Sequence, residues 1–352
     1  MITELTEQRF AEFKRMVESK GGSGRWLVMT HDNPDPDAIA AAGVLSKILR
    51  VAFHRRVTTA YGGLIGRAEN KQMVRVLGIR LSHRRHLVWK NYRHFALVDT
   101  QPRTGNNQLD PAITPDAVFD HHPIRRSTKG VPFIDIRPDY GATATILVEY
   151  LLASGIEVSR RNATALIYAL RSETQDFGRE FAGPDRKIYD ELLPTVDKRA
   201  LARIQNAPLP ATYFRDLHQA LENLESVGKL IVSNLGVLEQ PDIVPEIADL
   251  LLRMEKKTWS LASGVFNGRV YLSIRTSNSR ADAGKVMRNL VGKKGKGGGH
   301  GMTAGGWVDL EGSGVEGAAA LQHQLAARLA KRLKLNPAKL APLDLKQLQS
   351  SS

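Results

Sequence analysis

The chain has 352 residues, room for two domains, and its 42% hydrophobic and 24% charged residues are those of a globular, not a disordered, protein. A net charge of +14 favours anionic partners, phosphate-rich ones first. There is no cysteine, so disulfides, thiolate nucleophiles and Cys-ligated zinc are excluded, and any metal must be held by His, Asp and Glu.

In chain order, residues 1–20 read as an amphipathic helix without the apolar core of a signal peptide. No apolar run is long enough to span a bilayer, so a cytoplasmic protein without membrane contact is expected. RWLVMTH reads as a strand and DAIAAAGVLSKILR as the helix after it. RVTTAYG is strand-like, ENKQMVRVLG helical, and HFALVDT, AVFDHH and VPFIDIRP are strand-like. GATATILVEYLLASG and RNATALIYALRSE are helical. This alternation predicts an α/β domain over 1–190, a parallel sheet with helices on both faces and ligands beyond the strand C-termini.

Residues 191–225, broken by Pro208 and Pro210, read as a helical connector. A smaller α/β domain over 226–335 follows. It contains strand KLIVSNLGVL, helix PDIVPEIADLLLRME and a hairpin turning at Asn267-Gly268. A basic helix, ADAGKVMRNLVGKK, then leads into GKGGGHGMTAGGWVDL. Residues 336–352 are weakly patterned and read as a loosely structured tail. No internal repeat is evident.

Polar residues gather at the ends of apolar runs: His31 to Asp37 after WLVMT, Asp99 after FALV, and Asp120 to His122 after AVF. Like charges so close repel, which calls for positive charge among them. Asp32, Asn33 and Pro34 also suit a turn capping the next helix. His31, Asp35, Asp37, Asp99 and His121 offer oxygen and nitrogen donors without sulfur. Such a set suits manganese or magnesium, and less selectively zinc, cobalt or iron. It is too large for one catalytic ion with open positions and suits two ions about 3.5–4 Å apart. Three successive glycines, Gly297 to Gly299, let backbone N–H groups approach an anion. No Gly-Lys-Ser/Thr follows, so an ATP-type loop is excluded.

Together, H-x-x-P-D-x-D-A (His31 to Ala38), the lone Asp99 and D-H-H-P (Asp120 to Pro123) resemble the DHH phosphoesterases. GGGH (Gly297 to His300) resembles the DHH-associated domain that usually follows. The likeness runs from about residue 25 to about 310. The two-domain size is similar to the nanoRNase branch, whose members degrade very short oligonucleotides and often dephosphorylate 3′-phosphoadenosine 5′-phosphate. RecJ exonucleases share the core but carry further domains.

The resemblance implies two divalent cations, Mn2+ first, with Mg2+ or Co2+ as alternatives. His31 and Asp35 would hold one, Asp37 and His121 the other, with Asp99 bridging. His122 would meet the scissile phosphate or the leaving group, and Asp120 would orient the site. The family places an aspartate after the helix LIYAL, where this chain has Glu173, with Asp176 as the competing residue. Arg275, Gly298, Gly299 and His300 would hold the substrate's phosphate or terminal nucleotide, and Arg103 could reach a phosphate. The expected function is hydrolysis of short oligonucleotides or nucleotide phosphates. Alternatives are a cyclic-dinucleotide phosphodiesterase or a nucleotide-binding regulator with a weakened site. An inorganic pyrophosphatase on the same core is disfavoured by the GGGH domain. The oligomeric state stays open, a homodimer among the options.

Overall fold

A computed structural model describes residues 2–178, 181–310 and 314–344, apart from the side chains of His300, Val315 and Glu316. The chain forms two compact units, Met1–Ala207 and Pro208–Ser352.

The first unit runs α1 (Glu4–Ser19), β1 (Arg25–Met29), α2 (Pro36–Val51), β2 (Arg56–Tyr61), α3 (Ala68–Val76), β3 (Ser82–His83), β4 (His94–Val98), β5 (Ala117–Asp120), β6 (Phe133–Ile136), α4 (Thr143–Ala153), α5 (Arg160–Thr174), α6 (Gly183–Leu192) and α7 (Lys198–Gln205). Its six strands are all parallel, in the order β3-β2-β1-β4-β5-β6. The period-2 alternation of strand side chains splits the core in two. Trp26, Val28, Ala96, Val98, Phe119 and Phe133 face a cluster supplied by α1 to α7. Leu27, Met29, Phe95, Leu97 and Val118 face the other way.

Helices on both faces were expected, but the buried cluster on this second face holds no α-helical residue among those described. Leu87, Trp89, Tyr92, Leu109 and Ile113 cover it from 3-10 turns and loops. The reason is local. The connection after β4, TQPRTGNNQLDPAITP, is rich in Pro, Gly and Asn and has no helical period.

The second unit runs α8 (Ala211–Glu222), β7 (Leu224–Val227), β8 (Leu230–Val237), α9 (Ile243–Leu252), β9 (Trp259–Phe266), β10 (Arg269–Thr276), α10 (Ala283–Val291), β11 (Gly295–His300), β12 (Thr303–Asp309), α11 (Gly314–Arg332) and β13 (Ala341–Pro342). The sheet order is β11-β12-β10-β9-β8-β7-β13, with β8 and β9 parallel and the other pairs antiparallel. Helices α10 and α11 pack on one face, α8 and α9 on the other. The β9–β10 turn has Asn267 at φ 47 and Gly268 at φ 72, the left-handed pair of a tight hairpin.

Two expectations change. No separate connector exists between 191 and 225: α7 buries Ala200, Leu201 and Ile204 in the first unit, and α8 buries Ala220 in the second. Within the expected tail, Ala341–Pro342 pairs with β7 and Leu340 is buried; residues 345–352 lie outside the described residues. The glycine run forms an edge strand, β11.

Candidate metal centre

The strand order reverses between β1 and β4, so the connections leaving them diverge and open a crevice at their C-terminal ends. His31 lies two residues past β1, Asp99 directly follows β4, Asp120 ends β5, and His121 and His122 come next. Asp35 is the N-cap of α2. Its Oδ1 accepts from the Ala38 N–H at 3.0 Å, and Pro36 occupies the first helical position. The other oxygen, Oδ2, lies 3.7 Å from His31 Nε2.

Asp99 is the centre of the arrangement. It is only 3% exposed and holds a left-handed φ of 58, a conformation that costs a non-glycine residue energy. Its Oδ2 is 3.5 Å from His31 Nε2, and its Oδ1 is 3.7 Å from His121 Nε2. The donor atoms of His31, Asp35 and Asp99 lie within 4.8 Å of one another, and so do those of Asp99, His121 and His122. The two triads share Asp99.

One segment, residues 137–145, holds these side chains in place. The Tyr140 carbonyl accepts from His121 Nδ1 at 3.1 Å, which fixes the tautomer and turns Nε2 towards Asp99. The Thr143 hydroxyl donates to Asp99 Oδ1 at 2.9 Å. The first amides of α4, Thr143 and Ala144, donate to the two oxygens of Asp37 at 2.8 and 2.7 Å. A carboxylate at a helix N-terminus is favourable there. The segment is itself anchored. Buried Asp185 accepts from the Gly141 N–H (2.8 Å) and the Thr145 hydroxyl (2.5 Å). Arg137 grips Asp135 through Nε and Nη2 and Glu149 through Nη1. Sequence reasoning missed Thr143, Asp185 and the Tyr140 carbonyl.

Burial and mutual charge perturb the titration of the cluster. Burial, then the neighbouring Asp99, push Asp37 well above the usual carboxylate range. Glu173 is pushed to about 7 by burial and then by Asp35. Burial opposes charging of His31, but Asp35 and Asp99 outweigh it and raise its pKa well above the ordinary value. Burial likewise disfavours the Asp35 carboxylate, yet His31 and the Ala38 amide hold it at about 2. Clustered carboxylates, two His nitrogens aimed inward and no sulfur fit small divalent cations.

Asp120 is almost wholly buried. It accepts from the His122 amide (3.1 Å), His122 Nδ1 (2.9 Å) and Gln101 Nε2 (2.7 Å), the pattern of an orienting group. Burial works against the charged His122, but Asp120 raises it to about 9. Gln101, also missed, accepts from the Arg125 amide and the Thr128 hydroxyl, both at 2.7 Å. No sequence signal marks a glutamine whose role is hydrogen bonding across loops. Asp32 faces Gln108 rather than the triads, and Gly62 approaches it so closely that a Cβ would fall 2.1 Å from Asp32 Oδ1.

Glu173 joins the electrostatic cluster, whereas Asp176 is exposed and pairs with Arg171 at 2.5 Å. Arg103 is also exposed and donates to the Pro111 carbonyl at 2.9 Å, outside both triads. In the second unit, Arg275 donates to Asp249 (2.7 Å) and Ser273 (2.7 Å). A Cβ on Gly299 (φ 142) would meet the Thr303 carbonyl oxygen at 2.3 Å, whereas one on Gly298 would meet nothing within 4 Å. Gly298 therefore leaves an open stretch of backbone. The His300 side chain lies outside the described residues.

The N-terminal domain of the DHH family matches residues 25–172, and the DHHA1 domain matches residues 228–329. An uncharacterized protein of Methanocaldococcus jannaschii is 35% identical over 287 residues, 81% of this chain and 58% of that one. The A-adding tRNA nucleotidyltransferase of Aquifex aeolicus is 26% identical over 185 residues, 50% of this chain and 22% of that one. This chain thus spans less than two thirds of either relative. The crystal structure of an exopolyphosphatase-related protein from Bacteroides fragilis superposes with a TM-score of 0.73 at 15% identity, covering 93% of this chain and 98% of that one, a likeness of fold. With both domains matched in order and the acidic and histidine motifs gathered at one rim of the sheet, the chain belongs to the DHH family and carries a C-terminal DHHA1 domain.

Proposed function

We propose that this protein is a two-metal phosphoesterase. It hydrolyses phosphodiester or phosphomonoester bonds of short oligonucleotides, dinucleotides or small nucleotide phosphates. The observation that carries the reading is Asp99, buried, with one oxygen toward His31 and the other toward His121. A pair of divalent ions, manganese first and magnesium or cobalt as alternatives, supplies positive charge to the phosphoryl oxygens and acidifies water when bound.

The protein's own groups do the rest. His31 and Asp35 form one half of the ligand set, and Asp37, His121 and Glu173 the other. Asp120 keeps His122 charged and oriented, so His122 presents an N–H to the phosphate and a proton to the departing oxygen. In the second unit, the open backbone at Gly298, with Gly299, His300 and Arg275, receives the terminal nucleotide. Arg275 must then exchange Asp249 for phosphate.

The test is incubation with manganese and a panel of linear dinucleotides, cyclic dinucleotides, 3′-phosphoadenosine 5′-phosphate and a longer single strand, with products resolved by anion exchange. Turnover of the short linear substrates, lost in Asp99→Ala together with bound metal, is expected. A fully active Asp99→Ala variant, or metal-loaded wild type that cuts nothing in the panel, refutes the proposal.

A further inference from the structure

The net charge is unevenly placed. Residues 51–98 contain ten Lys and Arg against one acid, Glu69, so 48 residues carry +9 of the chain's +14. Soluble surfaces ordinarily intersperse both signs. These residues build one side of the first unit: β2, α3, the edge strand β3, and the segment 84–93 that returns to the start of β4. Arg56, Arg75, Arg80, Arg85, Lys90 and Arg93 are exposed, and among the described residues none of them has an ion pair with an acid. Arg80 lies close enough to Arg50 that, after burial, its charge depresses the Arg50 guanidinium.

Aromatic rings interleave with the cations. The Arg84 guanidinium lies 5.0 Å over the Trp89 ring, and exposed Arg25 lies 6.0 Å over Tyr92. Trp89 and Tyr92 pack against the second-face core, so they present fixed platforms. A guanidinium held over a ring is a surface on which a nucleobase stacks. The strip also has a direction. At its upper end His83 Nε2 meets the Gly63 carbonyl at 3.1 Å, and the Gly63 amide donates to Asp32, next to His31, at 2.5 Å. At its lower end the Arg93 amide donates to the Arg25 carbonyl at the start of β1. The strip thus runs the length of β1, about 17 Å, or about five stacked nucleotides.

We propose that this basic edge binds single-stranded nucleic acid, guiding a strand towards the rim where the metal centre lies. The inference deepens the phosphoesterase reading and rests on it for the identity of the substrate. It assigns the protein strands longer than a dinucleotide. An anionic membrane surface offers similar charge but gives no role to the ring-backed guanidinia.

The test uses the full chain in EDTA, so that binding is read without turnover. Anisotropy of a fluorescent 12-nucleotide single strand is titrated from 50 to 200 mM salt for wild type, for R80Q/R84Q/R85Q, and for K14Q/K129Q/K187Q. The last triple makes the same charge change on α1, the loop before β6, and α6. Each phosphate contact on a single strand contributes about −0.7 to the slope of log K against log salt. Loss of three predicts a slope about 2 units shallower and affinity about 100-fold weaker at 0.1 M salt in the edge variant alone. With manganese restored, its dinucleotide turnover stays at the wild-type rate. Equal losses in both triples, or an unchanged slope in the edge variant, overturn the proposal. So does loss of binding to phosphatidylserine vesicles while strand binding persists. A protein that hydrolyses no member of the panel yet shows the edge-specific slope refutes the enzymatic reading and leaves the binding surface standing.

Discussion

Replacing Thr143 with valine removes one hydroxyl from the centre of the site and almost no volume. That hydroxyl donates at 2.9 Å to Asp99 Oδ1, both residues being buried. A hydrogen bond to a charged group is worth about 1.5–3 kcal/mol. Loss of an outer partner of a metal ligand costs roughly 10- to 100-fold in metal affinity, the same range expressed as a ratio. The Thr143 amide still holds Asp37, so the perturbation isolates Asp99. Thr143→Val is therefore expected to weaken divalent-metal binding by roughly 10- to 100-fold in competition with a chromophoric chelator, with activity restored only at raised metal. Thr143→Ser keeps the donor and should bind within a few-fold of wild type. If valine binds metal as well as threonine, or serine as poorly as valine, the hydroxyl does not orient Asp99 and the reasoning fails.

Three further outcomes are expected. Glu173→Ala should lower metal occupancy and Glu173→Asp should preserve it, while Asp176→Ala, which only frees Arg171 at the surface, should leave occupancy and turnover unchanged; metal analysis of the three variants decides this. Protons and cations compete for Glu173, whose carboxyl titrates near 7 instead of its ordinary 4.5. Metal affinity should thus fall as pH drops through about 7, where Glu173 takes up a proton, and calorimetry in buffers of different ionisation enthalpy should detect proton release on binding. Gly299→Ala, which forces a Cβ onto the Thr303 carbonyl, should lower the melting temperature; Gly298→Ala should leave it unchanged and raise KM, and a melting temperature lowered equally by both would remove the case for an open backbone at Gly298.

His31, Asp99 and His121 were legible because each follows a short apolar run, and in a parallel sheet such runs end at one rim. Asp35 was legible from its spacing, although its second role as an N-cap emerged only with the Ala38 contact. The supporting residues were not legible. Tyr140 acts through its carbonyl, which no side-chain pattern encodes. Asp185 meets Gly141 from 44 positions away, a separation beyond any local motif. The packing of the glycine run was not legible for a related reason. Glycine signals freedom in a sequence, but here a Cβ on Gly297 would press on Met287 of α10, so close packing explains its presence. The cover of the first sheet's second face escaped notice because Leu87 to Tyr92, which supplies part of it among the described residues, has neither helical nor strand period.

Every proposed metal ligand lies between His31 and Glu173, inside the first unit, while the DHHA1 match begins at residue 228. Under the proposed function, the cation site and the part of recognition assigned to the second unit lie on separate stretches of chain. Changes in the second stretch would then alter substrate choice without retuning the cation site, and changes in the helix carrying Glu173 would act on metal binding first.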